Sequence, residues 1–586
     1  MRFEAIARDT NTRVGYAEIA GKKITIPNIL WHSSSRIPAP PYAKLKLNED
    51  IKSGGTFFYP KKCENLCIPP ALIYPHFFTD EIHEKIFSIN EKFFGEIAII
   101  SAKGGLKDAF LYVMANAKEL FSNPGEFVSA IVGIRNKIGY KLLYIPGIAN
   151  PINMAILSYC GIDLFDSLDI ILKSRKGVYF TSEKEYKLDE LEGYPCNCEY
   201  CKKGIDDFED LLFHNYEVMR NELIKIRNAI KRRELREYVE AKTHFNPNFA
   251  SIIRILDMKY YDYQEKNYAV IGNKIIASPY SLYRPDIRRF RERILNRYEK
   301  PRNAKVLVLL PCSAKKPYST SKSHKLFNRA IANSINRYTI HEVIVTSPLG
   351  LVPRELECTY PAAHYDISVI GYWDKEEIEM IRNTLSDYLE RNKYDLIINH
   401  LPKELSNHLD IDAINTCKEH PTSDASLEAL AEAVKEADDM EKVKHTERRF
   451  ENARSILLYQ FGKNIDNFLK NCKVKGKFPD YKIYDENDKQ LASFSMKRGL
   501  FSLTYPGGKK LGRNYWVEIE DFTPKGSVFA VGIEDADERI RIGDEVVVFH
   551  NEEVRAVGVA KMNAYEMKES QAGEAIKVRH YKAKNQ

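Results

Sequence analysis

The sequence predicts a multidomain α/β protein that ends in a small β-barrel. Three observations carry this. Short apolar runs, Ile97-Ala98-Ile99-Ile100, Leu142-Leu143-Tyr144-Ile145 and Val178-Tyr179-Phe180, alternate with amphipathic stretches such as residues 106–120. A second series of runs, at residues 306–310, 342–346 and 395–399, alternates with helical segments such as 375–391. Beyond residue 515 the runs follow one another through the turn signals Pro524-Lys525-Gly526, Gly543-Asp544 and His550-Asn551. Strand and helix in alternation give parallel sheets or barrels, whereas closely spaced strands give small antiparallel barrels.

Taken in order, residues 1–242 form the first predicted domain, close to the roughly 250 residues that a (β/α)₈ barrel needs. It ends on a basic helix, residues 221–242, carrying Arg227, Lys231, Arg232, Arg233 and Arg236. Such a helix is either a solvated face or a phosphate-contacting surface. Residues 243–441 are predicted to be a doubly wound α/β domain. It contains a Tyr/Arg-rich helical stretch with Arg288, Arg289, Arg291, Arg293 and Arg297. Residues 442–510 read as a small α+β domain, and residues 511–586 as the terminal barrel.

Composition narrows the class. The 586 residues include 88 basic and 81 acidic side chains, a net charge of +7. An excess that small does not by itself argue for nucleic acid. No apolar run approaches a membrane span and residues 1–4 do not open a signal peptide, so no membrane partner is expected. Three of the ten cysteines crowd into Cys196-Asn197-Cys198-Glu199-Tyr200-Cys201, with His214 following. That clustering suggests a metal rather than a disulfide framework, and with it a reducing, cytoplasmic setting. Three thiolates and one imidazole close a tetrahedral Zn²⁺ shell with no open position, so the expected role is structural.

The chemistry concentrates after residues 306–310. The loop reads Pro311-Cys312-Ser313-Ala314-Lys315-Lys316-Pro317-Tyr318, then Ser321 and His324. A short apolar strand stopped by proline delivers its loop to the carboxyl edge of a sheet, where open α/β sheets bind ligands. Cys312 is the candidate nucleophile. Lys316, Tyr318, Ser321 and His324 are candidate acid/base and positioning groups, with Lys315, Lys316 and His324 expected to favour the thiolate. On composition alone, Cys312 fits a small buried apolar residue equally well. A second cluster follows the next strand: Arg354 as a carboxylate binder, and Glu355, His364 and Asp366 as substrate-binding groups, with an ordinary surface ion pair as the other reading.

Several of these motifs resemble known families. Gly161-Ile162-Asp163-Leu164-Phe165-Asp166-Ser167, the Cys-x-Cys-x-x-Cys run and His214-Asn215 resemble archaeal tRNA-guanine transglycosylase. The resemblance implies a TIM-barrel-like domain with a structural zinc, and Asp166 at the family's nucleophile position. The family's second acid falls at Ala102, in Ala102-Lys103-Gly104-Gly105, which weighs against base exchange and leaves Asp166 as a structural or substrate-binding carboxylate. Residues 515–582 resemble a PUA domain through Lys525-Gly526-Ser527-Val528-Phe529 and Ile542-Gly543-Asp544, which implies RNA binding. The Pro-Cys-x₃-Lys-Pro-Tyr-x₂-Ser-x₂-His signature resembles that of the archaeosine synthase family. That resemblance implies an enzyme whose substrate is tRNA bearing 7-cyano-7-deazaguanine at position 15. Its nitrile accepts the side-chain amine of free lysine, or another amine, and a separate radical enzyme partner completes archaeosine. The expected route is a Cys312 thioimidate resolved by the amine to an amidine. Two other readings stay open: an active transglycosylase, and a non-catalytic tRNA-binding scaffold. A homodimer is also left open.

Overall fold

The computed structural model describes residues 2–55, 66–69, 79–90, 96–278, 280–367 and 372–582. The chain divides into two compact units, Met1–Tyr268 with Glu569–Glu574, and Ala269–Lys568 with Ala575–Gln586.

The first unit opens with an antiparallel meander of β1 (Arg2–Asp9), β2 (Thr12–Ile19) and β3 (Lys22–Ile26). Eight short strands follow: β4 (Asn28–His32), β5 (Lys46–Leu47), β6 (Lys52–Ser53), β7 (Cys67–Ile68), β8 (Ile97–Ile100), β9 (Leu111–Met114), β10 (Leu142–Tyr144) and β11 (Leu164–Asp166). Parallel pairing runs β5-β4-β11-β10-β9-β8, and β6 pairs with β7. Leu47 bridges to Ile51 at the entrance to β6, and β7 packs beside β8. Neighbours in sequence are therefore neighbours in space, and β11 returns to β4, as in a curled, barrel-like sheet. The strands send Leu30, Leu47, Ile68, Ile97, Leu111, Val113, Leu142 and Leu164 into one buried cluster, which Ile19, Ile24 and Ile26 of the meander also join. Side chains fill this interior, so it is a core and not a channel.

The basic helix expected at 221–242 is two helices. α2 (Phe208–Arg232) ends where Arg233 adopts a left-handed backbone, φ 57°, and α3 (Leu235–Lys242) restarts at a new angle. Two of its cations face inward. Arg227 donates to the Thr25 and Pro27 carbonyl oxygens. Arg236, 1 % exposed, forms a two-point pair with Asp257 at 2.9 and 2.6 Å and also donates to Glu240 at 2.6 Å. Asp257 lies on α4 (Pro247–Lys259), so this pair ties α4 to the first unit. That explains why the unit continues to Tyr268, past the boundary at 242 read from the sequence.

In the second unit, five strands form the sheet β17-β16-β15-β19-β20. They are β15 (Val306–Pro311), β16 (Ile340–Thr346), β17 (Gly350–Pro353), β19 (Leu396–Asn399) and β20 (Ile414–Asn415); β14 (Ile275–Ile276) and β18 (Tyr365–Asp366) form a separate parallel pair. β15 is central and parallel to both β16 and β19. Its alternate residues enter different cores. Val306, Val308 and Leu310 pack with Phe327 and Ala330 of α6 (Lys322–Ile331) and Leu430 of α8 (Asp424–Ala433). Leu307 and Leu309 belong to the cluster of Ile287 and Phe290 on α5 (Pro285–Asn296) and Ile381 and Leu385 on α7 (Lys375–Arg391). Helices on both faces make this the doubly wound arrangement expected from the sequence. The chain leaves β15 toward β16 and later returns to β15's other side, so the strand order reverses at β15, and the Cys312 loop exits there.

A four-stranded antiparallel sheet follows: β21 (Lys473–Lys475), β22 (Lys482–Tyr484), β23 (Gln490–Ser495) and β24 (Leu500–Leu503). The terminal six-stranded sheet, β26-β30-β29-β28-β25-β27, comprises β25 (Trp516–Ile519), β26 (Ser527–Phe529), β27 (Ile533–Ala536), β28 (Glu545–His550), β29 (Glu553–Ala560) and β30 (Glu574–Tyr581). Among the described residues no helix is long and apolar enough to cross a membrane.

Replacing Arg236 with Ala would strand Asp257 and Glu240 as unpaired buried carboxylates. Loss of one partner of such a pair typically costs about 3–5 kcal/mol. Chemical denaturation of R236A should show the first unit unfolding at markedly lower denaturant; an unchanged midpoint would mean that the pair is not what anchors α4.

Candidate active site and metal centre

Two centres lie in the first unit. Asp166 ends β11 and is 1 % exposed. Its Oδ2 accepts from the Tyr144 hydroxyl at 2.5 Å and the Gly147 N–H at 2.7 Å, and its Oδ1 accepts from the Leu168 N–H at 2.8 Å. Burial and the Asp166 charge hold the Tyr144 hydroxyl well above the usual phenol range, so it stays a donor. A carboxylate committed to three donors is poorly placed to attack or to take a substrate. Just past β8, the Lys137 ammonium donates to the Ala102 and Gly104 carbonyl oxygens at 2.5 and 2.7 Å.

Cys196, Cys198, Cys201 and His214 bring their four ligand atoms within 4.8 Å of one another and could hold a metal ion. His214 lies in the first turns of α2. Its Nε2 donates to the Phe180 carbonyl at 3.0 Å, which turns Nδ1 toward Cys198 and Cys201 at 3.4 and 3.2 Å. The Tyr179 ring stacks on the imidazole with centroids 3.9 Å apart. Burial pushes His214 down to about 4 and Cys201 up to about 12. The imidazole is thus neutral and ready to ligate, while a buried thiol needs a cation to ionise.

The third centre is in the second unit. Cys312 follows β15, half-buried against the large core. Burial pushes its thiol up from the ordinary range. A hydrogen bond with the Thr346 hydroxyl and the nearby Lys316 charge oppose that shift, and Glu377 adds to it. Thr346 ends β16 and its Oγ1 lies 2.5 Å from the Tyr365 hydroxyl, which lies 2.6 Å from the Tyr318 hydroxyl. All three residues are buried. This row of hydroxyls fixes the sulfur's neighbour from behind. Lys316 Nζ stands 3.8 Å from the Tyr365 ring centroid, is buried and has no hydrogen-bond partner among the described residues. Burial lowers its proton affinity, against the pull of Cys312 and Asp366. Burial thus works against the charged form of both groups, the thiolate and the ammonium.

The remaining predicted residues lie outside this contact. Ser321 caps α6, its Oγ accepting from the His324 N–H at 3.2 Å. His324 Nδ1 accepts from Arg354 Nη2 at 2.8 Å and its Nε2 donates to the Pro311 carbonyl at 3.0 Å. Burial and the Arg354 charge push His324 down to about 2. His324 is therefore a neutral brace, not the cation or proton shuttle expected from the sequence. Arg354 is also committed, to Glu342 at 3.0 Å and Glu357 at 2.9 Å, and is not open to a substrate carboxylate. Glu355 accepts from Tyr298 at 2.5 Å and pairs with His341 at 3.3 Å inside the core; despite the cost of burial, these partners hold it down at about 2. Asp366 is exposed and paired with Lys274 at 2.6 Å. His364 keeps a buried Nδ1 without a partner, and burial lowers its proton affinity. Sequence reasoning missed Thr346 and Glu377, and placed Ser347 and Tyr365 in the second cluster without giving either a role. Thr346 and Ser347 end the strand next to β15, a position that the periodicity around residues 342–346 could have flagged.

A barrel-like sheet bearing a Cys₃His cluster, joined in sequence to a thiol-bearing α/β sheet and a small terminal barrel, defines a transglycosylase-like protein with an added thiol site. Residues 125–248 match the queuine tRNA-ribosyltransferase family, residues 287–434 a domain of unknown function (DUF5591) and residues 518–582 the PUA domain. The chain is 32% identical to archaeosine synthase of Haloferax volcanii, over 99% of both chains. It is 35% identical to archaeosine synthase subunit alpha of Methanosarcina acetivorans, over 83% of this chain and 82% of that one. The chain belongs to the archaeosine synthase family. It is 29% identical to the tRNA-guanine(15) transglycosylase of Methanobrevibacter smithii over 75% of its length, covering 66% of that protein. Among solved structures it resembles the crystal structure of AF0587, a protein of unknown function, with 28% identity and a TM-score of 0.40 over 50% of this chain and 100% of that one.

A thiol raised by burial should alkylate slowly at neutral pH. Iodoacetamide labelling of Cys312, followed by peptide mass spectrometry, should be slower than that of a free thiol and accelerate as pH rises. Lys316→Met removes the cation that favours the thiolate and should slow labelling further; faster labelling in that variant would show that Lys316 acts only as a steric cover.

Proposed function

We propose that this chain modifies tRNA in archaeosine formation, by adding an amine to the nitrile of 7-cyano-7-deazaguanine at position 15. The observation that carries this reading is Cys312 at the carboxyl edge of the sheet with the buried Lys316 Nζ, which has no hydrogen-bond partner among the described residues, in the same loop. A nitrile carbon is electrophilic but demands a strong nucleophile, and a thiolate is the strongest that a protein supplies near neutral pH. Lys316 takes the thiol proton as sulfur bonds to the nitrile carbon, and returns it to the nitrogen, giving a thioimidate. An amine, lysine by family resemblance, then adds to that carbon. The C–S bond breaks, and the product is an amidine that a radical enzyme partner converts to archaeosine. Thr346, held by Tyr365 and Tyr318, orients the sulfur throughout. Nothing in this scheme needs ATP or a redox cofactor.

The Cys₃His cluster fits Zn²⁺ in a closed, structural shell, with His214 oriented by the Phe180 carbonyl. The terminal barrel is read as the tRNA-gripping module through phosphate contacts. Base exchange is disfavoured, because Asp166 is held by three donors and position 102 has no acid.

With nitrile-bearing tRNA and no amine, wild-type protein should accumulate a Cys312–tRNA adduct, seen by mass spectrometry, that disappears when lysine is added. Cys312→Ala should abolish both adduct and product while leaving tRNA binding intact. Near-normal turnover in that variant would instead mean direct attack by the amine.

Elemental analysis should find one zinc per chain. Cys198→Ser should lose the metal and melt at lower temperature, since closed zinc shells contribute folding energy directly. An equally stable, metal-free Cys198→Ser protein would remove the structural assignment.

A further inference from the structure

Glu377 has no part in the scheme above, yet it stands beside its centre. It lies in the first turn of α7, where Oε2 accepts from the Asp374 N–H at 3.1 Å and Oε1 accepts from the Ser347 hydroxyl at 2.5 Å. Ser347 is 4 % exposed and directly follows Thr346, which the parallel register of β15 and β16 sets beside Cys312, since Pro311 lies opposite Val345. Of two adjacent residues at one strand end, one thus lies beside the thiol and the other holds a carboxylate. The other acids nearby are neutralised: Asp366 by Lys274, and Glu342 and Glu357 by Arg354. Among the described residues Glu377 has no basic partner. Its charge also opposes ionisation of Cys312. It therefore hinders the first half of the reaction, and a group that hinders thiolate formation is accounted for if it serves the second half, when a cation must approach the same carbon.

We propose that Glu377, oriented by Ser347, is the docking group for the ammonium form of the amine co-substrate. The inference rests on the thioimidate reading and names a binding residue for its second step. That step balances without any further reagent. The docked ammonium first passes a proton to the thioimidate nitrogen, and its freed lone pair then bonds to the thioimidate carbon. The C–S bond breaks, and a second proton from the same nitrogen returns to the Cys312 sulfur. The positive charge stays on the product as an amidinium, a cation that the same carboxylate faces.

Glu377→Gln separates charge from structure. Glutamine still accepts from Ser347 and still suits the third position of a capped helix. The expected result is a KM for lysine raised by about tenfold or more, the scale of one charge-assisted contact, with kcat changed far less. Formation of the Cys312–tRNA adduct, measured without amine, should be no slower than in wild type. Hydroxylamine, uncharged at neutral pH, should resolve the adduct equally well in both proteins. An unchanged KM for lysine, or an equal loss with hydroxylamine, would overturn the assignment. Absence of any adduct in wild type would remove the thioimidate reading instead, and the lysine KM of E377Q, followed through product formation, would still decide the role of Glu377.

Discussion

Burial moves the proton affinities of Cys312 and Lys316 toward each other, up for the thiol and down for the ammonium. In water a thiolate and a lysine ammonium coexist comfortably; in a packed site the ion pair must be solvated by something else. The Tyr365 ring face beneath Lys316 Nζ and the Thr346 hydroxyl at the sulfur provide little of that solvation. Burial thus disfavours the charged form of each group, and the residues around them hold the two in register.

The register is held in two layers. The inner one is the row of Thr346, Tyr365 and Tyr318, buried throughout and linked hydroxyl to hydroxyl, which fixes the strand end beside Cys312. The outer one braces the loop itself. His324 donates to the Pro311 carbonyl and is fixed in that tautomer by Arg354, which is in turn locked between Glu342 and Glu357. The imidazole is held neutral by its burial and by the guanidinium that faces it. A second cation there would repel Arg354 and release the segment that carries Cys312.

The layered sheet, the strand that leads to Cys312 and the close cluster of cysteines were legible because each depends on neighbours in sequence. Val306 to Leu310 alternate between two cores, and an uninterrupted apolar run says as much. Cys196, Cys198 and Cys201 sit within six residues. Pairings at long range were not legible. Arg354 and Glu355 carry the right chemistry for substrate binding, but only the fold shows that Glu342, Glu357, His341 and Tyr298 already occupy them. Arg227 and Arg236 read as a basic surface for the same reason: their carbonyl and carboxylate partners come from β3, the β3–β4 turn and α4. Glu377 was hidden in a helix whose first turn is acidic, where a carboxylate is expected for capping alone.

The two catalytic-looking carboxylates of the chain differ in the same way that their sites do. Asp166 accepts from three donors, which belong to β10, to the loop after it and to the segment after β11, so its charge is used up in joining three pieces of the barrel-like sheet. Glu377 accepts from one hydroxyl and one backbone N–H, and no cation among the described residues opposes it. A carboxylate saturated by fixed donors stabilises a fold and has little left for a ligand, whereas one held by neutral donors keeps its charge for whatever enters beside it. Asp166 therefore serves to join strands and loops of the barrel-like sheet, while Glu377 is held by Ser347 at the end of the strand next to the one that leads to Cys312.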